Sequence, residues 1–383
     1  MIFLAIVLTF YCGVNLYIFL HGLQAFSISP VIRKIYIFAF ILLAAAFFLG
    51  RILERVKIGI ISNTLVWVGS YWLAAMVYFL LLVLLIDIVR LIQYQIPFLP
   101  HILYQNPQKA RFYLGIGSLV IVGLVLIAGR VNTLCPRIRQ LELKINKKIA
   151  GDKEFKIALA SDLHLGTVVG PRQVQKLVEQ INIISPDLIL FAGDLIDEDS
   201  GLLIKKDLGK QLQDLRAPLG VFSVTGNHEY FGGIETVTGY LESHGITLLR
   251  DSVITLSNGI VLVGRVDREA HQFTRKNRRS LGELLKSIDR GKPIILIDHQ
   301  PVNLREAVEN QVSLQLSGHT HHGQLWPFNY MTSAIYRLSY GYRKIGDTHF
   351  YVSCGYGTWG PLIRTSSRPE IVALKLIFNC HIA

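Results

Sequence analysis

The sequence predicts an all-α, multi-pass membrane domain followed by an α/β domain. Two observations predict the first part: four long apolar runs lie within residues 1–130, and cations gather at their ends. A third predicts the second part. From Phe155 onward, strand-length apolar runs alternate with helix-like segments, and blocks rich in Asp and His follow several of the strand-like runs directly. The composition agrees. Of 383 residues, 51% are hydrophobic and only 17% are charged, against about 25% charged in average usage. Mean hydropathy is +0.40, high for a wholly soluble chain.

The first apolar run covers Met1 to about Leu20, the second Ile35 to Gly50, the third Thr64 to Ile88 and the fourth Phe112 to Gly129. A span needs about 20 apolar residues to cross roughly 30 Å of hydrocarbon. The second and fourth runs are slightly short, so tilt or flanking residues must help. The first run has no basic leader and no small-residue cleavage site after it, which argues against a signal peptide. Asp87 is read as an interfacial residue paired with Arg90, in preference to an intramembrane site.

Cation placement suggests an orientation. Connections one and three carry Arg33, Lys34, Arg90, Lys109 and Arg111; connection two carries Arg51, Arg55 and Lys57. After the fourth run come Arg130, Arg137, Arg139, Lys144, Lys147 and Lys148. The positive-inside rule then places both termini, and the α/β domain, in the cytoplasm. The net charge of +12 is read as a membrane-surface feature, with no nucleic acid expected, because no aromatic-and-basic platform accompanies it. The four cysteines, Cys12, Cys135, Cys354 and Cys380, are far apart and form no CxxC pair. They are expected to be unpaired structural thiols.

The expected domains are a membrane domain over residues 1–130, a basic linker over 131–153 and the α/β domain over 154–383. The linker alternates apolar and charged residues around Arg137–Lys144, so it could be a strand or a surface-lying segment. Strands are expected at 156–160, 187–191, 221–224, 246–249, 253–256, 260–266, 294–297, 314–316, 350–353 and 371–376. Helices are expected at 174–184 after Pro171, at 203–215, at 235–244 before Gly245, and near 281–288. The basic stretch from Arg265 to Arg279 is expected to be a mobile loop.

Chemistry gathers in five blocks: Asp162-Leu163-His164, Gly193-Asp194, Gly226-Asn227-His228-Glu229, Asp298-His299 and Gly318-His319-Thr320-His321. Each follows a strand-like run, and ligand sites in α/β sheets form at the carboxyl ends of strands. Carboxylate, imidazole and amide groups suit divalent ions such as Mn, Fe or Zn. Seven candidate ligands exceed the needs of one ion and suit two.

Taken together and in this order, the blocks resemble the calcineurin-like metallophosphoesterase family, in a membrane-associated bacterial branch. The resemblance covers residues 150 to 378 or so. It implies a four-layer α-β-β-α sandwich, two mixed sheets flanked by helices. It also implies two divalent ions, the first held by Asp162, His164, Asp194 and His321, the second by Asp194, Asn227, His299 and His319. A hydroxide between the ions would be the nucleophile, His228 the general acid and Glu229 its orienting carboxylate. His322 stands where membrane-associated relatives usually carry glycine. Arg364, near a glycine-rich terminal loop, is a candidate phosphate clamp or a structural ion-pair partner. The function implied is hydrolysis of a phosphodiester or pyrophosphate bond in a phosphorylated small-molecule or lipid-linked substrate, at a bacterial inner membrane. A phosphomonoesterase or protein phosphatase on the same site, or an inactive membrane scaffold, are the alternatives. Oligomeric state is left open.

Overall fold

The computed structural model describes residues 2–57, 59–100, 105–150, 154–197 and 200–378. It divides into two compact units, Met1–Val131 and Asn132–Ala383.

The first unit is built from α1 (Ile2–Ala25), α2 (Pro30–Val56), α3 (Ile60–Gln95) and α4 (Pro107–Leu134). All four are long and apolar enough to cross a membrane. α2, α3 and α4 each contain an expected apolar run and extend past it at both ends, so the shortfall of the second and fourth runs disappears; α1 covers the described part of the first. Ser29 starts α2 by accepting the Ile32 N–H at 3.2 Å, with Pro30 in the first turn. Without a hydrophobic drive between helices in lipid, close backbone approach holds them together. Gly69 of α3 illustrates this: a Cβ there would meet the Phe47 nitrogen of α2 at 2.2 Å. Buried polar groups are satisfied across helices. Trp72 Nε1 donates to Asn15 Oδ1 at 3.0 Å, and the Tyr11 hydroxyl donates to the Ala44 carbonyl at 2.6 Å. Asp87 does pair with Arg90, at 3.3 Å, and it also accepts from the Tyr17 hydroxyl at 2.6 Å and lies 2.9 Å from His21 Nε2.

The second unit holds two mixed sheets. In chain order its strands are β1 (Arg137–Ile145), β2 (Glu154–Ala160), β3 (Leu188–Phe191), β4 (Val221–Ser223), β5 (Thr247–Leu248) and β6 (Ser252–Thr255). They continue with β7 (Val261–Gly264), β8 (Ile294–Ile297), β9 (Leu314–Ser317), β10 (Gly341–Ile345), β11 (Thr348–Val352) and β12 (Glu370–Phe378). The first sheet runs β1-β12-β2-β3-β4-β5 and the second β10-β11-β9-β8-β7-β6. The segment expected as a basic linker therefore contributes an edge strand: β1 pairs in parallel with β12 from Arg137 opposite Glu370 to Ile145 opposite Phe378. Its alternation of apolar and charged residues fits a sheet edge with one buried face.

The sheets pack face to face. Ile157, Leu188 and Leu190 of the first meet Leu262, Ile295, Leu314 and Leu316 of the second in one buried cluster. Residues one step along, Val261, Val263, Ile294 and Leu296, point outward from the second sheet. They pack under Leu281 and Leu284 of a short helix and Leu304 and Ala307 of another. The helix Pro171–Ile184, here α5, buries Val174, Leu177, Val178 and Ile181. The result is the expected layering of helix, sheet, sheet and helix.

The remaining helices are α6 (Ser200–Lys206), α7 (Asn227–Phe231), α8 (Ile234–Ser243), α9 (Ala270–Thr274), α10 (Leu281–Leu284), α11 (Leu304–Glu309) and α12 (Phe328–Ile335). The single helix expected over 203–215 breaks after α6. Asp207 there adopts a left-handed conformation (φ 45°) and its carboxylate receives the Tyr240 hydroxyl and faces His244 Nε2, both at 2.8 Å. Nor is the Arg265–Arg279 stretch a free basic loop. It contains α9, and Arg265 and Arg278 both pair with the buried Asp298 carboxylate. Cys12, Cys135 and Cys354 are free thiols; Cys380 lies outside the described residues. Burial pushes the Cys354 thiol up to about 12.

The inter-sheet core sets the stability of this unit. Leu190→Ala removes a fully buried side chain at the centre of the sandwich and is expected to cost about 2–5 kcal/mol. Denaturant unfolding of the full chain in detergent, followed by hydrogen exchange at β3, measures it.

Candidate metal centre

Five loops bring the site together, and each leaves the carboxyl end of a strand. Asp162 and His164 follow β2, Asp194 follows β3, Asn227 and His228 follow β4, His299 follows β8, and His319 and His321 follow β9. The loops turn abruptly. Asp162 (φ 51°), His164 (φ 50°), Asp194 (φ 53°), His319 (φ 71°) and His321 (φ 46°) are all in the left-handed region. Such backbone costs about 1–3 kcal/mol per residue and persists only where its surroundings over-determine it. The glycines of the blocks make room for these turns. A Cβ on Gly226 would meet Asp194 Oδ1 at 2.1 Å, and one on Gly318 would meet Asp162 Oδ2 at 2.4 Å.

The side chains converge into three overlapping trios: Asp162–His164–His321, Asp194–His299–His319 and His164–Asp194–His228. Within each, one ligand atom per residue lies within 4.8 Å of the others. His164 Nε2 is 3.0 Å from His321 Nε2, and His321 Nε2 is 3.6 Å from Asp162 Oδ1. On the other side, His299 Nε2 is 3.1 Å from Asp194 Oδ2, and His319 Nδ1 is 3.2 Å from His299 Nε2. Asp194 Oδ2 also lies 3.9 Å from His164 Nε2, between the two groups. Asn227, an amide at the start of α7, has its buried Oδ1 without a hydrogen-bond partner, and Asp162 Oδ2 is likewise buried without one.

The electrostatics suit cations. Burial lowers His164 to about 4 and His319 to about 3, so both are neutral imidazoles, the form that ligates a metal. Burial also lowers His321, with repulsion from His164 next in effect. Burial alone would lower His299 too, but the Asp194 carboxylate outweighs it and raises His299 well above the ordinary value. Burial likewise works to raise Asp194, and His299 outweighs it, holding Asp194 well below the usual carboxylate range. Burial pushes Asp162 up to about 6, against the opposing pull of His299. Crowded imidazoles, orphaned carboxylate and amide oxygens, and one shared aspartate together fit divalent ions. His299 Nδ1 donates to the Ala192 carbonyl at 2.6 Å, which leaves Nε2 aimed at the cluster.

Two expected roles change. Glu229 was expected to orient His228. Its carboxylate instead accepts four backbone N–H groups, from Asp194 (3.1 Å), Leu195 (2.7 Å), Ile196 (3.1 Å) and Gly226 (2.7 Å). Burial raises Glu229 to about 7, against the pull of those donors. The carboxylate that meets the His228 ring is Asp197, with Oδ1 3.2 Å from Nδ1. Asp197 stood in the Gly193–Asp197 run, but spacing alone gave no reason to send it to His228. The His228 N–H also donates to Asp194 Oδ1 at 2.9 Å, so its backbone is tied to the shared aspartate.

Arg364 is the second change. It is fully buried and cannot reach out to a substrate phosphate. Its guanidinium donates to the Gly357 carbonyl at 3.0 Å, to the Cys354 carbonyl at 2.6 Å and to Ser367 Oγ at 2.8 Å, and it faces His321 Nδ1 at 3.1 Å. It ties the terminal loop to the metal-ligand loops. His322 is half-buried against the Tyr340 ring, 5.2 Å between centroids.

An aromatic rim surrounds His228. The Phe231 ring is 5.5 Å away and the Trp359 ring 6.4 Å away, with Phe273 packed 5.3 Å from Phe231. Trp359 is 60% exposed, and Phe231 and Phe273 are each 45% exposed.

Comparison with known proteins agrees with this chemistry. The family model described as calcineurin-like phosphoesterase matches residues 155–323. A metallophosphoesterase of Helicobacter pylori is 36% identical over 247 residues, 63% of this chain and 64% of its own length. One from Aquifex aeolicus is 33% identical and 88% of it is covered, by 60% of this chain. A zebrafish transmembrane protein with a metallophosphoesterase domain is 31% identical over 271 residues, 68% of this chain and 62% of its own length. The chain thus spans about 64% of the Helicobacter relative it matches.

Glu229 offers a test that leaves every candidate ligand in place. Glu229→Gln replaces one acceptor oxygen with a donor that faces backbone N–H groups. Outer-shell changes of this kind cost about 10–100-fold in metal affinity. Titration of the metal-stripped full chain with Mn, read by calorimetry, is expected to show a loss in that range.

Proposed function

The chain belongs to the calcineurin-like phosphoesterase family, and on that premise we propose that it is a membrane-anchored, metal-dependent phosphoric ester hydrolase. We assign it a phosphodiester or pyrophosphate bond in a lipid-linked compound as substrate. The observation that carries the reading is the convergence of six Asp and His side chains with His228, together drawn from five loops. In this reading Asp162, His164, Asp194 and His321 would hold one ion, and Asp194, Asn227, His299 and His319 a second. When bound, such a pair supplies Lewis acidity, positive charge for the phosphoryl oxygens and a water of lowered pKa.

The chain's own groups do the rest. His228 gives its proton to the leaving oxygen. Asp197, against Nδ1, fixes the ring. Glu229 holds the Asp194 and Asn227 loops in register through its four N–H contacts. Asp162 and Asp194 hold negative charge inside the site, where it offsets bound cations. The exposed rim of Phe231, Phe273 and Trp359 offers apolar contact to a substrate with a lipid part.

A diester suits the site better than a monoester. The extra charge of a monoester calls for a gripping cation, and Arg364 is buried under backbone carbonyls. Four membrane-capable helices support a bilayer location, and the positive-inside distribution of cations supports a cytoplasmic face at a bacterial inner membrane.

The full chain in detergent, supplied with Mn, is expected to hydrolyse a chromogenic phosphodiester faster than the matching monoester. Chelator abolishes turnover, and His228→Ala lowers kcat by about 10²–10⁴-fold. Chelator-resistant turnover, or an unchanged His228→Ala, overturns the reading, and monoester preference replaces it with a phosphomonoesterase. Asp197→Asn is expected to lower kcat with little change in KM, which separates positioning of His228 from substrate binding.

A further inference from the structure

We infer that the membrane unit holds one bilayer lipid with an anionic headgroup, its acyl chain in a cavity among the four helices and its phosphate at Arg111 and Arg90. The inference does not rest on the hydrolase reading. The cavity has a volume of about 380 Å³, within the roughly 300–1,000 Å³ typical of small-molecule sites. Its walls come from every helix of the unit: Ile18 of α1, Phe40 and Leu43 of α2, Val83 of α3, and Leu119 of α4 among them. Most of its lining is apolar, which a hydrocarbon chain matches.

The basic groups on its wall come from the parts of α1, α3 and α4 next to connections one and three. His21, Arg90 and Arg111 all line it. Asp87 is already taken: the Tyr17 hydroxyl, His21 Nε2 and Arg90 all meet its carboxylate. Among the described residues Arg111 has no hydrogen bond and no acidic partner. The surrounding sequence deepens the imbalance. In sequence, the stretches 17–43 and 79–119 contain Arg33, Lys34, Arg90, Lys109 and Arg111 against Asp87 as the one acid. An anionic phosphate closes that gap. A zwitterionic headgroup brings its own cation into the same cluster and fits less well. Basic pockets between membrane helices select anionic lipids by this means.

Native mass spectrometry of the purified full chain tests it, with chelator present so that no turnover consumes the probes. The probes are phosphatidylglycerol and phosphatidylcholine with identical acyl chains. One phosphatidylglycerol is expected to stay bound, in preference to phosphatidylcholine by about fivefold, the ratio expected for one cation near the headgroup. Arg111→Gln, at an exposed position, removes that preference without touching the helix packing. Lys57→Gln, an exposed cation on connection two, leaves it intact. Ser118→Phe, which fills the cavity, weakens both lipids alike. Equal retention of the two lipids overturns the proposal. So does an unchanged preference in Arg111→Gln, or an equal loss in Lys57→Gln, which would mean surface charge alone.

Discussion

The carboxylate of Glu229 is the fixed point of the α/β unit. It is a buried acid that accepts four backbone N–H groups from two loops, those after β3 and β4. Such groups would otherwise be costly orphans in a dry interior. Because they are satisfied by one side chain, the two loops share one geometry. Asp194 sits on the first loop and Asn227 on the second, and the His228 N–H returns to Asp194 Oδ1. The rest of the site is arranged around this knot. Arg364 plays a parallel part on the far side, where it ties the terminal loop to His321.

Strain and charge in the site have the same origin. Five left-handed non-glycine residues and a crowd of buried imidazoles and carboxylates stand where the two sheets end. Neither would survive in a loop free to relax. The inter-sheet core below is continuous, from Ile157 and Leu190 to Ile297 and Leu316, and the loop anchors do not move independently of it. Rigidity at the base lets the upper surface hold a geometry that the chain disfavours locally.

Much of this could be read from the chain because its signals are local. Apolar runs of membrane length need no tertiary information, and four helices appear where four runs were read. Ligand blocks placed just past strand-like runs gave the α/β architecture and the candidate ligands. What escaped depends on contacts distant in sequence. Asp197 reaches His228 across 31 residues and Arg364 reaches His321 across 43. Glu229 is adjacent to His228 in sequence, yet its side chain faces the opposite loop, a matter of helix direction in α7. The edge strand β1 looked like a tether because half its residues are charged. Only its partner β12 explains why the other half is apolar.

That pairing also orders the life of the nascent chain. β12 lies between β1 and β2, the first two strands to be made, and pairs with both. During synthesis β1 and β2 emerge early with no neighbour to share on that side. They wait for more than two hundred residues, while the four apolar helices ahead of them can already enter the membrane. The last strand then slides between the first two as a keystone. A ribosome stalled before residue 370 therefore leaves an anchored chain with two bare strand edges, the kind of surface that invites pairing with a stranger.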